Sequence, residues 1–380
     1  MGDRSFSMGP IRPPSEAGSL LLQVTEGCTW NKCKFCVVYR GSTFHIKQPE
    51  EIKNNIDNMA YFRDLIIKHS HSGNLDKQGL YSELELLDGE ELQCFYMVYN
   101  WLADGGRSVF LQDGNSIALK PEKLADVLLY LREKFPHIER ITTYGRAESL
   151  SRWSVEQLKL LRESGLNRIH TGFESGSDNV LKLINKGLTQ QQEIDGGIKA
   201  KEAGFELSVY FMPGIGGKEY SEENSSETAK VINAINPDFV RIRTFVLKKD
   251  SEMYPMELNG EFTSCTDREK LIEIRNLISK IDAPDVNIVS DHIVNLIGSL
   301  SGRIGSDKAK MLSMADQVTE LSERDFKIYQ LARRYGYIEN LSQLPLIPEA
   351  KLSHFHHIVT GYEDEAMWEE HITDVLRQYV

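Results

Sequence analysis

The sequence predicts an α/β protein: an open, partial (β/α)6 barrel of TIM type over residues 19–250, then a mostly helical region over 251–380. Three observations carry that expectation. Six short β-branched or apolar runs alternate with amphipathic segments in the first 250 residues, the pattern of repeated strand–helix units around a parallel sheet. Six units are too few to close an eight-stranded barrel and more repetitive than a dinucleotide-binding half. Beyond residue 250 helical periodicity dominates and the charge turns acidic, with 13 basic against 22 acidic residues, a net of −9 out of −12 for the whole chain.

Taken in order, residues 1–18 are polar, carry Pro10, Pro13 and Pro14, and read as a flexible lead. The expected strands are 20–25, 108–112, 139–144, 168–173, 206–211 and 238–245, because each is a run of β-branched, aromatic or aliphatic residues bounded by turn formers. Helices are expected to start near Pro49, Pro121, Ser154, Asp178, Gln190 and Ser221. Proline suits the first helical position, and Ser154 with Glu156 supplies cap chemistry. The stretch 63–105 is longer than one crossover needs and holds a polar loop and a second helix. In the C-terminal region, periodicity marks helices at 267–281, 307–322, 323–335 and 364–379, and the apolar run 286–289 reads as one more strand.

Hydrophobic residues are 41% and charged residues 26% of 380, values of a globular chain rather than a disordered or fibrous one. The acidic balance argues against a broad nucleic-acid surface. No apolar run reaches the roughly 20 residues of a membrane span, and the start lacks the apolar core of a signal peptide, so a cytoplasmic protein is expected. Five cysteines, an odd number, do not suggest a secreted disulfide framework.

Three of those five fall in one short loop directly after the first strand: Cys28, Cys33 and Cys36, a C-x4-C-x2-C pattern with Phe35 before the last cysteine. In a barrel, that is the end where chemistry is done. Three thiolates so close can converge on one metal centre. A structural zinc site closes with four ligands, and no fourth cysteine lies nearby. A [4Fe–4S] cluster takes one cysteine per iron, so three leave one iron open for a substrate or cofactor.

On these residues the chain resembles the radical S-adenosylmethionine (radical SAM) superfamily. Its hallmark is a three-cysteine loop after the first barrel strand, with an aromatic residue before the third cysteine. The usual spacing is C-x3-C-x2-C; here one extra residue separates Cys28 from Cys33. The core is similar to the branch holding oxygen-independent coproporphyrinogen oxidase, the methylthiotransferases and the Elongator-type enzymes. The resemblance implies an oxygen-sensitive enzyme in which Cys28, Cys33 and Cys36 bind a [4Fe–4S] cluster. That cluster reductively cleaves SAM to methionine and a 5′-deoxyadenosyl radical, which takes hydrogen from an unidentified substrate. A one-electron reductant of the flavodoxin or ferredoxin kind is implied as a partner.

The same resemblance assigns SAM contacts. Gln112, Asp113, Gly114 and Asn115 stand where the family has a loop touching the methionyl amine, with Asp113 as the anion. Glu174 and Ser175 end the fourth strand, where the ribose is held. Pro213, Gly214 and Ile215 match the segment under the adenine. Arg241 and Arg243, with alternate-residue spacing on the sixth strand, are candidates for the SAM carboxylate, and Tyr144 and Arg146 for the same cavity, with Phe35 covering the site. In Ser290-Asp291-His292, a strand ending at the same rim would place Asp291 and His292 as proton-moving groups on the substrate side, with 300–380 as a lid; alternatively Asp291 caps a helix over 292–299. Cys94 reads as a core thiol, Cys265 as an exposed bystander, and the His354–His357 run as surface. A small-molecule substrate is expected, nucleic acid and membrane are not. A tRNA-modifying or porphyrinogen-oxidising enzyme, or a non-catalytic iron–sulfur or haem-binding protein on this scaffold, are the alternatives.

Overall fold

The computed structural model describes residues 4–71, 74–362 and 364–379; residues 1–3 of the expected lead lie outside them. The chain divides into two compact units, one of Met1–Asn31, Val38–His170 and Lys199–Glu206, the other of Lys32–Val37, Thr171–Ile198 and Leu207–Val380.

In the first unit, β1 (Leu20–Gln23), β2 (Ser108–Gln112), β3 (Arg140–Tyr144) and the first half of β4 (Leu166–Glu174) form a parallel sheet, with Leu20 opposite Val109 and Val109 opposite Ile141. Parallel strands are covered on both faces, so β1 is buried at all four positions and β2 at its last four. Leu20, Leu22, Val109, Phe110, Leu111 and Ile141 are fully buried, each worth about 1.5–3 kcal/mol relative to exposure. The helices are α1 (Pro49–Lys68), α2 (Lys77–Leu84), α3 (Gly89–Ala103), α4 (Pro121–Lys134), α5 (Ala147–Arg152) and α6 (Val155–Glu163). Proline opens α1 and α4; α3 and α6 start with capping boxes, Asp88 with Glu91 and Ser154 with Gln157. The long stretch 63–105 holds α2 and α3, as its length suggests. In the lead, Phe6 is buried, its N–H donates to the Cys94 thiol at 3.2 Å, and Gly9 donates to the Gln112 side chain at 2.9 Å.

In the second unit the sheet continues from the second half of β4 through β5 (Glu206–Phe211), β6 (Phe239–Ile242), β7 (Asn287–Val289) and the antiparallel β8 (Gly302–Arg303). The strand order gives eight strands in an open sheet: the six expected, β7 where the run 286–289 predicts one more, and the unexpected β8. Its helices are α7 (Asp178–Leu183), α8 (Gln190–Glu202), α9 (Ser221–Ile235), α10 (Met253–Leu258), α11 (Asp267–Lys280), α12 (Ile304–Thr319), α13 (Glu323–Arg334), α14 (Glu349–Thr360) and α15 (Glu365–Arg377). Trp368, Tyr329 and Phe262 are fully buried in it, and a buried Arg334–Asp267 pair at 2.6 Å ties α13 to α11.

Three expectations are corrected. Strand β6 ends at Ile242 rather than 245, because Thr244 turns to bond Asn295 and Phe245 N–H bonds Pro213. Residues 292–299 form turns, not a helix: Val294 N–H donates to the His292 ring and Ser290 donates to the Ile297 carbonyl, local bonds that compete with helix formation. Cys265 is buried, not exposed, since the next residue, Thr266, caps α11 and draws the loop inward. The His354–His357 run lies on α14, with His354 and His357 exposed.

Candidate functional site

The cysteine loop leaves β1 through Gly27, whose φ of +81° lies in the left-handed region that glycine tolerates. No disulfide joins Cys28, Cys33 or Cys36, and all three are half-buried.

In the first unit, the segment after β2 grips the start of that loop. The Gln112–Asp113 peptide is cis. The buried Asp113 carboxylate accepts from the Tyr39 hydroxyl, from Gly27 N–H at 3.4 Å and from the Gln23 amide at 3.4 Å. Burial raises its pKa against those bonds, and burial, Asp113 and then Cys28 drive the Tyr39 hydroxyl far above its usual value. Gly114 N–H donates to Gly27 O at 3.2 Å; a Cβ on Gly114 would stand 3.0 Å from that oxygen and 3.3 Å from Cys28 Cβ. Asn115 donates to Thr29 at 3.0 Å and Ser149 at 2.8 Å, and accepts from Arg146 N–H at 3.0 Å. The Arg146 guanidinium sits 5.8 Å over the Trp30 ring. Tyr144 packs edge-on to Phe110 at 5.1 Å. The Gln112 side chain is taken up by Gly9 and Ile11.

In the second unit, two segments hold the rest of the loop. Lys34 N–H donates to Ile184 O at 2.9 Å, Asn185 donates to Lys32 O at 2.9 Å, and Glu252 N–H donates to Lys34 O at 3.0 Å. Phe35 packs against a buried apolar cluster containing Val180, Ile184, Met212 and Ile215. Glu174 closes β4 with a φ of +67°, uncommon for a side chain larger than glycine, and its carboxylate accepts from Lys186 at 2.9 Å. Ser175 is buried and accepts from Ser177 N–H at 3.0 Å.

Near Lys186 and Glu174 lies Glu193, fully buried with neither oxygen hydrogen-bonded, which burial pushes well above the usual carboxylate pKa. Gly214 has a φ of +83°, and its N–H donates to Glu273, whose burial raises it to about 8. Pro213 accepts from Phe245, and Ile215 is fully buried.

At the ends of β6 and β7 the two arginines part company. Arg241 is buried, bonds Ser208 at 3.1 Å and pairs with Asp291, while Arg243, beyond the strand, is exposed. His292 is pushed down to about 4, first by burial and then by Arg243.

Sequence reasoning missed Tyr39, Lys186, Glu193 and Glu273. Tyr39 had a signal, an aromatic three residues past Cys36; the other three are helix-flanking or helical charges that only the tertiary fold buries.

A family model described as the radical SAM superfamily matches residues 22–229, more than half of the chain. The chain belongs to the radical SAM superfamily, whose enzymes use a [4Fe–4S] cluster and SAM. It is 21% identical over 183 residues to the heme chaperone HemW of Bacillus subtilis (strain 168), covering 48% of each chain. It is also 21% identical over 324 residues to a tRNA-2-methylthio-N(6)-dimethylallyladenosine synthase of Christiangramia forsetii, covering 84% of this chain and 62% of that one. The chain thus spans less than two thirds of either relative's length. Among solved structures, coproporphyrinogen III oxidase (HemN) from Escherichia coli aligns at 17% identity and a TM-score of 0.43, over 69% of this chain and 51% of that one. Among the described residues, no helix is long and apolar enough to cross a membrane.

Proposed function

We propose that the chain is a radical SAM enzyme acting on a small molecule, with Cys28, Cys33 and Cys36 as the ligands of one [4Fe–4S] cluster. The carrying observation is the clamped cysteine loop: in the first unit Asp113, Gly114 and Asn115 hold Gly27 and Thr29 beside Cys28, in the second Ile184, Asn185 and Glu252 hold Lys32 and Lys34 beside Cys33, and no disulfide joins the three thiols. That donor set fits the cluster, because thiolates are its normal ligands and three leave one iron open. When bound, the cluster and SAM supply one-electron chemistry, cleaving SAM to methionine and a radical that takes a hydrogen atom from the substrate.

The chain's own residues bind, orient and shield. In this reading Asp113, Tyr39 and Asn115 act on the loop, setting where Cys28 and Thr29 stand. Glu174, held by Lys186, would accept from the ribose hydroxyls of SAM, and Gly114 and Gly214 would permit close backbone approach. Tyr144 and Arg146 in the first unit and Ser175 in the second would be further SAM contacts, and Phe35 would keep water from the cluster. Asp291 and His292 stand on the substrate side, where the depressed pKa keeps His292 neutral. A flavodoxin- or ferredoxin-like protein delivers the electron.

The test is anaerobic reconstitution with iron and sulfide, reduction, and chromatography for 5′-deoxyadenosine and methionine. Both products should form in the unsubstituted protein and vanish when the three cysteines are replaced by alanine. A reconstituted, reduced protein that leaves SAM intact contradicts the proposal.

A further inference from the structure

Within the second unit a buried acid stands against the turn that follows β5. Glu273 lies midway along α11, a helix fixed at its start by the capping box of Thr266 with Glu269, and its side chain is fully buried. Its carboxyl group collects donors from two other segments. Gly214 N–H, just past β5, reaches both oxygens at 3.2 Å. From α9 the Ser221 hydroxyl donates at 2.9 Å, and the buried Asn224 amide donates as well. Burial outweighs these bonds and lifts the pKa to about 8, so near neutral pH the group is an uncharged acid. Its own O–H then has a partner in the Ser221 oxygen, which accepts as readily as it donates.

The same helix meets this turn a second time. A Cβ on Gly214 would stand 2.9 Å from Cγ of Lys270, one turn before Glu273, so glycine is what lets α11 come this close. Asn224 extends the arrangement to the end of β4: its amide also reaches Met212 O at 3.4 Å, and Met212 N–H donates to Glu174 O at 2.9 Å. Glu273 and its partners thus hold both Met212, bonded to the candidate ribose residue, and Gly214, in the candidate adenine segment. A buried acid costs desolvation that an apolar side chain avoids. Its place here is explained by what its oxygens fix, the backbone of this one turn.

We infer that Glu273 is a positioning residue for SAM: from α11 it sets the backbone of residues 212–215, against which the adenine lies. The inference rests on the assignment of that segment to SAM made above. Glu273 touches no part of the cofactor itself. It acts as a hydrogen-bond acceptor at a fixed place, and its charge plays no part, so glutamine can do the same work and a side chain without an oxygen cannot.

SAM is titrated calorimetrically into the reconstituted protein with its cluster unreduced, so that no turnover occurs, for the unsubstituted chain, Glu273→Met and Glu273→Gln. Methionine fills a similar volume but offers Gly214 N–H no oxygen; glutamine keeps an oxygen for Gly214 and Asn224 and an amide for Ser221. SAM affinity is expected to fall at least about tenfold in Glu273→Met and to stay within about threefold in Glu273→Gln, with iron content unchanged in both. Undiminished SAM affinity in Glu273→Met, or a loss in Glu273→Gln as large as in Glu273→Met, overturns the inference. Should Glu273→Met not fold, Glu273→Asp takes its place, with the same expectation and the same refutation, because it draws the oxygens back from Gly214 by one methylene. SAM that binds the unsubstituted protein yet stays intact on reduction counts against the enzyme reading alone. Absence of SAM binding by the unsubstituted protein overturns both.

Discussion

Replacing Asp113 separates two roles that one residue can play. The sequence pattern puts it against the SAM amine; the structure gives its carboxylate three donors from this chain, Tyr39, Gly27 and Gln23. Asp113→Ala strips all three. A buried donor left unsatisfied costs about 1–3 kcal/mol, and water entering the vacated space offsets part of the sum, so a loss of roughly 2–4 kcal/mol in stability follows. The same change loosens Gly27 and therefore Cys28, so bound iron should fall. Asp113→Asn behaves differently. Its oxygen can still accept from Gly27 and Gln23, and its amide can donate to the Tyr39 oxygen, so stability should change by no more than about 1 kcal/mol. Urea unfolding, iron analysis and SAM titration are run on both variants. The reasoning is refuted if Asp113→Asn keeps stability and iron but binds SAM about tenfold more weakly, the loss expected for a charged hydrogen bond to ligand.

Further outcomes follow from the same geometry. Glu174→Gln should keep the iron and lower SAM affinity by about tenfold, because a charge-assisted bond worth roughly 1.5–3 kcal/mol is lost; unchanged SAM binding would place the ribose elsewhere. Glu273 is protonated in the fold up to about 8 and ionised in the unfolded chain above 4.5, so the folded state holds the extra proton in that window and its contribution to stability falls as pH rises. The stability of Glu273→Gln relative to the unsubstituted protein should therefore climb through that window, by up to roughly 1.4 kcal/mol per pH unit, and level off above it; a flat difference contradicts the assignment. Cys265, with its thiol pushed up to about 12 by burial, should resist iodoacetamide in the native protein and react on unfolding, and Cys94→Ala with Cys265→Ala should leave the iron content unchanged.

Much of the fold is legible because its strands are buried on both faces and read as continuous apolar runs, as in Leu20-Leu21-Leu22, and because its helices announce themselves by proline or by caps such as Ser154. The cysteine loop is legible because its chemistry is local. What the sequence hides is long-range. Asp113 reads equally as a turn or a ligand contact until Tyr39, 74 positions away, is seen on its carboxylate. Arg241 and Arg243 look equivalent until β6 ends between them. The expected helix at 292–299 fails because Ser290 and His292 bond nearby backbone groups. Lys186 and Glu193 acquire meaning only where the chain brings them beside Glu174.

The central claim is that three cysteines of one loop, and no others, hold the redox centre. Anaerobic reconstitution followed by iron and sulfide analysis tests it most directly, comparing the unsubstituted protein, the Cys28→Ala/Cys33→Ala/Cys36→Ala variant and the Cys94→Ala/Cys265→Ala variant. The account predicts about four irons per chain and broad visible absorption in the first and third, and neither in the second. Retention of about four irons by the variant lacking Cys28, Cys33 and Cys36, or purification of the unsubstituted protein with stoichiometric zinc, would contradict it.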